Sequence, residues 1–188
     1  MTNTTHSEYV PTFAHRLALP ESEFRFEIQH GHAVPLRSRP LHQRAVIKVC
    51  RELSARIPDA LEVVYRPPLI TSAADPPTVR LPDVVITTAE LIDVNIDYLT
   101  AADVLGLVEI VEPGSRDRDL VTKRAEYAAA EIPCYSTIDL GGFDFRSSPV
   151  LVHHWGTTPE VGGVRMVWRD AFDFDLAGLL WASSGRPP

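Results

Sequence analysis

The chain has 188 residues, of which 45% are hydrophobic and 23% are charged, and its formal net charge is -7. This length fits one domain that is large enough to bury a core, and the composition is that of an ordinary globular protein. The acidic balance argues against a protein that binds nucleic acid through bulk electrostatics. Basic residues nevertheless cluster at 37–51 and 116–124, and such clusters are most often solvated faces.

The two cysteines, Cys50 and Cys134, lie far apart and form no C-x-x-C pair. Their spacing argues against a disulfide framework or a structural zinc site and favours a reducing compartment. The longest apolar run, 104–111, is interrupted by Glu109 and is far short of the roughly 20 residues that a membrane helix needs. We therefore expect a cytoplasmic protein with no membrane partner.

The termini differ in character from the middle of the chain. The stretch 1–8 is polar and has no basic region followed by an apolar core, so it does not resemble a signal peptide. We expect a flexible N-terminal tail over 1–16, a single domain over 17–182 and a flexible C-terminal tail over 183–188.

The first elements of the domain are predicted from two different periodicities. Apolar residues alternate at 24–28 and 33–36 around a His-Gly turn, which predicts a β-hairpin. Apolar residues then recur at helical spacing over 41–57 until Pro58. This pattern predicts an amphipathic helix that ends at the proline.

Short strands are predicted next, at 61–65, 69–71 and 84–87, with a proline-containing loop over 72–78 between the second and the third. The third strand is apolar on both alternating faces, which is typical of a buried strand. The following segment, 89–103, is acidic and weakly patterned, and we expect an irregular connection with one helical turn.

The run 107–111 is apolar on both faces except at Glu109, and this predicts a central strand that carries one carboxylate. Ser115 is predicted to cap a helix over 116–130, and a strand follows at 134–140. The order strand, helix, strand implies a right-handed crossover and parallel pairing.

The last elements complete an α/β fold. Strands at 150–154 and 163–167 are expected to form a hairpin, and 172–181 is expected to close the domain as a partly helical apolar segment.

Glu109 carries the first functional signal, because a carboxylate inside an apolar strand must be paired, protonated or bound to a cation. Asp83 precedes another apolar strand. Neighbouring strands would bring both carboxylates to one edge of the sheet, where a hard cation with oxygen ligands relieves their repulsion. Mg²⁺ suits such a site because it needs few protein carboxylates and retains water and phosphate oxygens.

Lys123 follows Asp119 by one helical turn, on the helix after the Glu109 strand. Its ammonium could fold back toward the same edge, where a lysine can orient or deprotonate an attacking water or stabilise charge in phosphodiester hydrolysis. The alternative is an ordinary surface pair with Asp119, worth only about 0.3 to 0.5 kcal/mol.

Several short motifs occur in a fixed order along the chain. They are FE at 26–27 before Gly31, HQ at 42–43, LPDVV at 81–85, LVEIVEP at 107–113, Asp119 with Lys123, YA at 127–128, and IPCY at 132–135 with Asp139. In this order and spacing the motifs resemble the Uma2 family of the PD-(D/E)XK restriction-endonuclease-like superfamily, over roughly residues 24–180.

The resemblance implies a restriction-endonuclease-like mixed central sheet flanked by helices, with N-terminal and C-terminal β-hairpins. It implies Asp83 and Glu109 as metal ligands and Lys123 as the catalytic lysine, displaced onto the helix because Val111 occupies the usual lysine position. Glu27 matches an N-terminal glutamate that completes such sites, although an exposed hairpin residue is the alternative. His42 is placed near the phosphate, with a solvent-facing or structural histidine as its alternative.

Two positions depart from the family pattern. Glu112 stands where the family has a serine before proline, and Ser136 stands where it has a tryptophan after Tyr135. We expect Ser136 to affect packing. Glu112 is three residues from Glu109, and an odd offset on a strand points a side chain to the opposite face, so a supporting or exposed role is expected.

These observations lead to the hypothesis of a Mg²⁺- or Mn²⁺-dependent endonuclease acting on DNA. The catalytic residues would be Asp83, Glu109, Lys123 and Glu27, and phosphate contacts are expected from His42, Arg44, Arg116 and Arg118. One alternative is a non-catalytic nucleic-acid-binding or regulatory module that retains the nuclease fold. A structural homodimer is another, and family members tend to pair; Trp155 and Trp168 are candidate interface residues.

Overall fold

The structure, a computed structural model, describes residues 26–36, 38–140, 151–156, 160–161 and 164–165. It begins with an antiparallel hairpin of β1 (Phe26–Gln29) and β2 (His32–Pro35). The two turn residues, His30 and Gly31, have positive φ values of 47° and 81°. Such values are typical of a two-residue hairpin turn, and the predicted N-terminal hairpin is confirmed.

The other elements are short and alternate along the chain. The remaining strands are β3 (Leu61–Val64), β4 (Leu69–Ser72), β5 (Thr78–Arg80), β6 (Val84–Thr88), β7 (Leu99–Thr100), β8 (Gly106–Val111), β9 (Cys134–Asp139), β10 (Leu151–Gly156), β11 (Glu160–Val161) and β12 (Val164–Arg165). The helices are α1 (Pro40–Ser54), α2 (Ala89–Asp93) and α3 (Lys123–Ala129), with a 3-10 turn at Ala101–Asp103 and a π-helical turn at Arg118–Thr122 that leads directly into α3.

Ten of these strands form two mixed five-stranded sheets, and β11 and β12 form a separate two-stranded sheet. The first has the order β2-β1-β5-β4-β7 and the second the order β10-β9-β8-β6-β3. In the second sheet β8 and β9 run parallel, with Glu109 opposite Thr137, while β6 runs antiparallel to β8. The α/β class and the parallel pairing of β8 and β9 are confirmed, and the predicted single sheet is resolved into two.

The second sheet is buried on both faces, and alternation along its strands decides which side chain points where. On one face Val84, Val108 and Ile110 pack against the apolar side of α1. On the other face Val85 and Leu107 pack in a cluster that includes Tyr127 of α3 and Tyr135 of β9. Glu109 is two residues after Leu107 and therefore lies on the same face of the sheet. Its carboxylate points toward α3 rather than α1.

Helix α1 confirms the predicted amphipathic pattern but ends at Ser54, four residues before Pro58. Pro40 lies in its first turn, where a missing N–H costs nothing, and Arg51 lies in its last turn, where the helix dipole favours a cation. Its buried residues are His42, Ala45, Val46, Val49 and Leu53. The helix therefore covers one face of the second sheet and places His42 near its N-terminal end.

Other predictions need correction. A C-terminal hairpin is present, but β12 pairs with β11, whereas β10 pairs antiparallel to β9 over the full length of both strands. The apolar alternation at 150–154 was compatible with either partner, and only the tertiary pairing decides between them. The segment 89–103 is more regular than expected, since it contains α2, β7 and the 3-10 turn.

Some predictions fall outside the described residues. These are the two terminal tails, the closing segment 172–181 and Trp168. In the described part of the chain, no helix combines the length and the apolar character needed to cross a membrane.

Candidate active site

Asp83 and Glu109 lie side by side on neighbouring strands of the second sheet. Asp83 immediately precedes β6, Glu109 lies in the middle of β8, and the pairing of Val84 with Val108 brings the two carboxylates together. They are 5% and 2% exposed. Both border a small cleft of about 40 Å³ whose lining includes Leu36, His42, Arg66, Leu81, Ile110, Glu112, Ser115, Arg118, Asp119 and Lys123.

The Glu109 carboxylate is held by three donors. Its Oε1 accepts hydrogen bonds from Lys123 Nζ at 2.8 Å and from the Tyr127 hydroxyl at 2.9 Å. Its Oε2 accepts the backbone N–H of Asp83 at 3.3 Å. The buried carboxylate predicted from the strand pattern is thus paired with a cation, as its burial requires.

The pKa of Glu109 is raised to about 7: burial is the main cause, the negative charges of Asp83, Asp119 and Glu27 add to it, and Lys123 opposes it. The lowering effect of Lys123 is therefore smaller than the combined effect of burial and the neighbouring carboxylates. A site of this kind favours an additional positive charge, either a proton or a cation.

Lys123 lies among three carboxylates and is 2% exposed. Its Nζ is 2.8 Å from Glu109 Oε1, 3.0 Å from Glu27 Oε1 and 3.7 Å from Asp119 Oδ1. Burial lowers the pKa of Lys123, but these carboxylates outweigh it and hold the pKa above its usual value. The interpretation as an ordinary surface pair with Asp119 is wrong, because both side chains are buried.

Glu27 reaches the same cluster from β1 in the other sheet and is fully buried. Its Oε1 also accepts the backbone N–H of Leu81 at 3.1 Å, and its Oε2 accepts Arg80 Nη1 at 3.0 Å. Burial raises the pKa of Glu27, but Lys123 and Arg80 outweigh this and lower it. The exposed-hairpin alternative is therefore wrong, since alternation in β1 turns Glu27 inward.

Arg80 was missed by the sequence analysis. It is fully buried on β5 and donates to both carboxylate oxygens of Glu126 on α3, at 2.8 and 2.6 Å. Through its contact with Glu27 it links the first sheet to α3. An arginine between Val79 and Leu81 was the available signal, since a charge within a short apolar strand needs a buried partner.

Asp83 has a separate set of partners. Its Oδ1 accepts Arg66 Nε at 3.1 Å and Arg66 Nη2 at 2.9 Å, and its Oδ2 accepts the Ile110 N–H at 3.0 Å and lies 2.9 Å from His42 Nε2. Burial raises the pKa of Asp83, but His42 and Arg66 together hold it below its usual value. Arg66 had no sequence signal, because it lies in the connection between β3 and β4, 17 residues from Asp83.

His42 is buried and acts on Asp83 rather than facing solvent. Its Nδ1 lies 3.2 Å from Ser38 Oγ and 3.3 Å from Arg66 Nη2. Because the guanidinium can only donate, Nδ1 accepts from it and Nε2 carries the proton directed at Asp83. The solvent-facing alternative for His42 is therefore wrong.

The other predicted phosphate contacts are spread apart. Arg118 borders the cleft, and its Nε lies 3.7 Å from Asp119 Oδ1. Arg116 donates through both terminal nitrogens to Asp139, and Arg44 is half-buried on α1. The structure thus brings His42 and Arg118 to the cleft, while Arg44 and Arg116 are placed elsewhere in the described chain.

The helix after β8 presents one buried face to the carboxylates. Asp119, Lys123 and Tyr127 follow each other at four-residue intervals and are all buried. Burial, and nearby carboxylates such as Asp83, raise the pKa of Asp119 despite the lowering effect of Lys123. The π-helical turn before Lys123 widens the helix where it meets the site, and such turns often occur at functional sites.

Two local predictions about the loop after β8 need correction. The Ser115 hydroxyl does not cap the helix; it interacts with the backbone N–H and carbonyl of Glu112. Glu112 is half-buried and borders the cleft instead of pointing to the opposite face, because β8 ends at Val111 and strand alternation no longer sets its direction. Its supporting role stays a prediction.

The donor set fits a hard divalent cation in its chemistry. Asp83 and Glu109 offer carboxylate oxygens, and Mg²⁺ commonly uses only one or two protein carboxylates beside water and phosphate oxygens. Glu109 Oε2 accepts one hydrogen bond and has room for a second interaction. In the described residues no three His, Cys, Asp or Glu side chains are arranged as a complete ligand set, so such a site would need ligands from solvent or substrate.

Comparison with known proteins places the chain within one family. The profile of the family described as "Uma2: Putative restriction endonuclease" matches residues 11–169. A crystal structure described as a "putative nuclease belonging to DUF820" from Anabaena variabilis ATCC 29413 has a TM-score of 0.59 and 14% identity, and the match covers 90% of this chain and 98% of that one. At this identity it supports the fold. No curated protein matches the chain.

Proposed function

We propose that this chain, which belongs to the Uma2 family, is a divalent-metal-dependent endonuclease that hydrolyses phosphodiester bonds in DNA. The observation that carries the proposal is the convergence of Asp83, Glu109 and Lys123 on one cleft. Glu27 supports them by contacting Lys123 from a fourth element, β1. A cluster of buried ionisable groups in a cleft, with shifted pKa values, is typical of a catalytic site.

Asp83 and Glu109 would hold Mg²⁺ or Mn²⁺. Such an ion polarises a phosphoryl oxygen and lowers the pKa of a bound water toward neutrality. The raised pKa of Glu109, at about 7, supports a cation here, because a bound ion would stabilise the ionised carboxylate.

Lys123 would act as a charged group rather than as a base. Its raised pKa keeps the ammonium protonated near neutral pH, which suits it to orient a water or to stabilise negative charge on the phosphate. Glu27 would position Lys123 through the 3.0 Å contact between Glu27 Oε1 and Nζ. Arg80 in turn holds Glu27 from the opposite side.

The approach of a phosphodiester is supported by a second cleft of about 410 Å³ next to the site. Its lining shares Glu112, Ser115 and Arg118 with the smaller cleft and adds Arg39. Arg39 and Arg118 would provide positive charge for the backbone of a bound strand. Contacts from Arg44 and Arg116 stay a prediction.

The test is a cleavage assay on plasmid and oligonucleotide DNA with Mg²⁺ or Mn²⁺. Glu109→Gln and Lys123→Met should each reduce the rate by about 10²-fold or more, because each removes a charge from the reacting centre. Glu62→Gln is the matched control, since Glu62 is exposed on β3 and its loss should leave the rate unchanged. Cleavage that survives both site substitutions would contradict the proposed site.

A non-catalytic module that retains the fold is the second candidate. It is favoured by the protein cations that already pair with both carboxylates, Arg66 with Asp83 and Lys123 with Glu109. Metal binding without turnover of any DNA or RNA substrate would favour this module. A homodimer is a further proposal; Trp155, a candidate interface residue, stacks on Tyr135 with ring centroids 5.2 Å apart, and light scattering would test the assembly.

A further inference from the structure

The two carboxylates of the site differ in how many acceptor positions remain. An ionised carboxylate has about four lone-pair positions. At Asp83 these are matched by four donors: Nε and Nη2 of Arg66 on Oδ1, and His42 Nε2 and the Ile110 N–H on Oδ2. Glu109 has three donors, and its Oε2 accepts only one of them. Asp83 can therefore take a metal ion only if a present donor leaves.

The donors of Asp83 are not equally able to leave. The Ile110 N–H belongs to the central strand β8, and His42 is held on α1 beneath the sheet. Arg66 lies between strands, and its side chain is 12% exposed. Its backbone has a φ of 51° immediately before Pro67, so the backbone is restricted and the long side chain is the part that can move.

Open space lies next to Arg66, into which its guanidinium can move. Arg66 borders the small cleft and also a neighbouring groove of about 710 Å³. A change of side-chain rotamer would carry the guanidinium from Asp83 into this groove without moving a strand.

From this we propose that Arg66 is the resident counter-ion of the metal position, and that its guanidinium must leave Asp83 before a divalent cation binds there. The inference rests on the proposed function, because it takes Asp83 as a metal ligand. Arg66 neutralises the buried carboxylate in the metal-free protein, where an unpaired charge would destabilise the fold. Two cations cannot share one carboxylate oxygen without strong repulsion, so Arg66 and the metal exclude each other.

The experiment is calorimetric titration of the full chain with MnCl₂ and with MgCl₂. Arg66→Gln should bind Mn²⁺ roughly tenfold more tightly than wild type, since a competing pair of charge-assisted hydrogen bonds is removed. Arg66→Lys keeps the charge but loses the paired geometry and should lie between the two. Arg56→Gln is the matched control, because Arg56 pairs with Glu52 on the surface. The Mn²⁺ affinity of this variant should equal that of wild type.

Two further measurements follow the thermal stability of the protein and the NMR signal of the Arg66 side chain. Thermal unfolding with and without Mn²⁺ should show a larger metal-induced rise in Tm for Arg66→Gln than for wild type. In the wild-type protein the Arg66 Nε–H resonance, which reports the 3.1 Å hydrogen bond to Asp83, should shift as Mg²⁺ saturates the site.

The outcomes separate this inference from the proposed function. Equal or weaker Mn²⁺ binding by Arg66→Gln, with clear binding by wild type, would overturn the role of Arg66 and leave the metal site standing. Binding by Arg66→Gln alone would support both. If neither protein binds a divalent cation at millimolar concentration, the metal site fails, and the inference fails with it.

Discussion

Two charge networks meet between β6 and β8, and they differ in the elements that hold them. The inner network consists of Glu27, Arg80, Glu109, Lys123 and Glu126, and the mouth network consists of Ser38, His42, Arg66 and Asp83. The inner network joins β1, β5, β8 and α3, so it ties both sheets to one helix. The mouth network depends on a loop arginine and on the end of α1. We infer that the inner network fixes the site and the mouth network adjusts to what binds.

The largest expected effect comes from breaking the inner network at Arg80. Arg80→Met leaves Glu27 and Glu126 without their guanidinium partner, and removing one member of a buried ion pair costs about 3 to 5 kcal/mol. Urea unfolding at neutral pH measures the loss. Arg66→Gln in the mouth network should cost distinctly less, because Asp83 keeps His42 and the Ile110 N–H as donors.

Equal losses in the two variants would contradict the proposed difference between the networks. Arg80 is fully buried and Arg66 is 12% exposed. A larger loss of unfolding free energy in Arg80→Met than in Arg66→Gln would therefore support burial as the cause of the difference.

The second effect is a dependence of the free energy of unfolding on pH, caused by the titration of Glu109. The pKa of this carboxyl is about 7 in the folded protein, against a model-compound value of 4.5. A raised folded pKa means that its contribution to stability is full below about pH 4.5 and is lost as the pH rises through 7. The loss is on the order of 3 kcal/mol in the free energy of unfolding.

Glu109→Gln should remove this dependence, because the amide does not titrate. Urea unfolding of wild type and variant between pH 4.5 and 8 gives the difference curve, in which other titrating groups largely cancel. A difference curve that is flat from pH 4.5 to 8 would show that Glu109 is ionised throughout and that Lys123 balances it fully.

The contrast between the networks also marks what the sequence can predict. Glu109 was found because period-two alternation shows a strand buried on both faces, and one charged residue stands out against it. Asp83 was found by its place before a second such strand. Both signals are local, and so were those for the hairpin, for α1 and for the parallel pair β8 and β9.

The partners of these carboxylates could not be predicted in the same way. Arg66 contacts Asp83 across 17 residues, and Arg80 contacts Glu126 across 46, so both pairings depend on how the sheets pack. Glu112 was misplaced because strand alternation stops at Val111. The pairing of β10 with β9 is likewise a tertiary choice between equally suitable strands.

The smallest expected effects compare two hydroxyls, one that donates to Glu109 of the inner network and one that belongs to the mouth network. Tyr127→Phe removes the 2.9 Å hydrogen bond to Glu109 inside the core while keeping the ring packed on Tyr135. It should cost about 1 to 2 kcal/mol, because water cannot replace a donor there. Ser38→Ala removes the 3.2 Å contact with His42 and should cost about 0.5 kcal/mol or less, since Ser38 is half-buried and water can take its place. Urea unfolding of both variants at pH 8 measures the pair. If Ser38→Ala lost as much unfolding free energy as Tyr127→Phe, the mouth network would be as closed to water as the core. That result would contradict the proposal that Arg66 is readily displaced from Asp83.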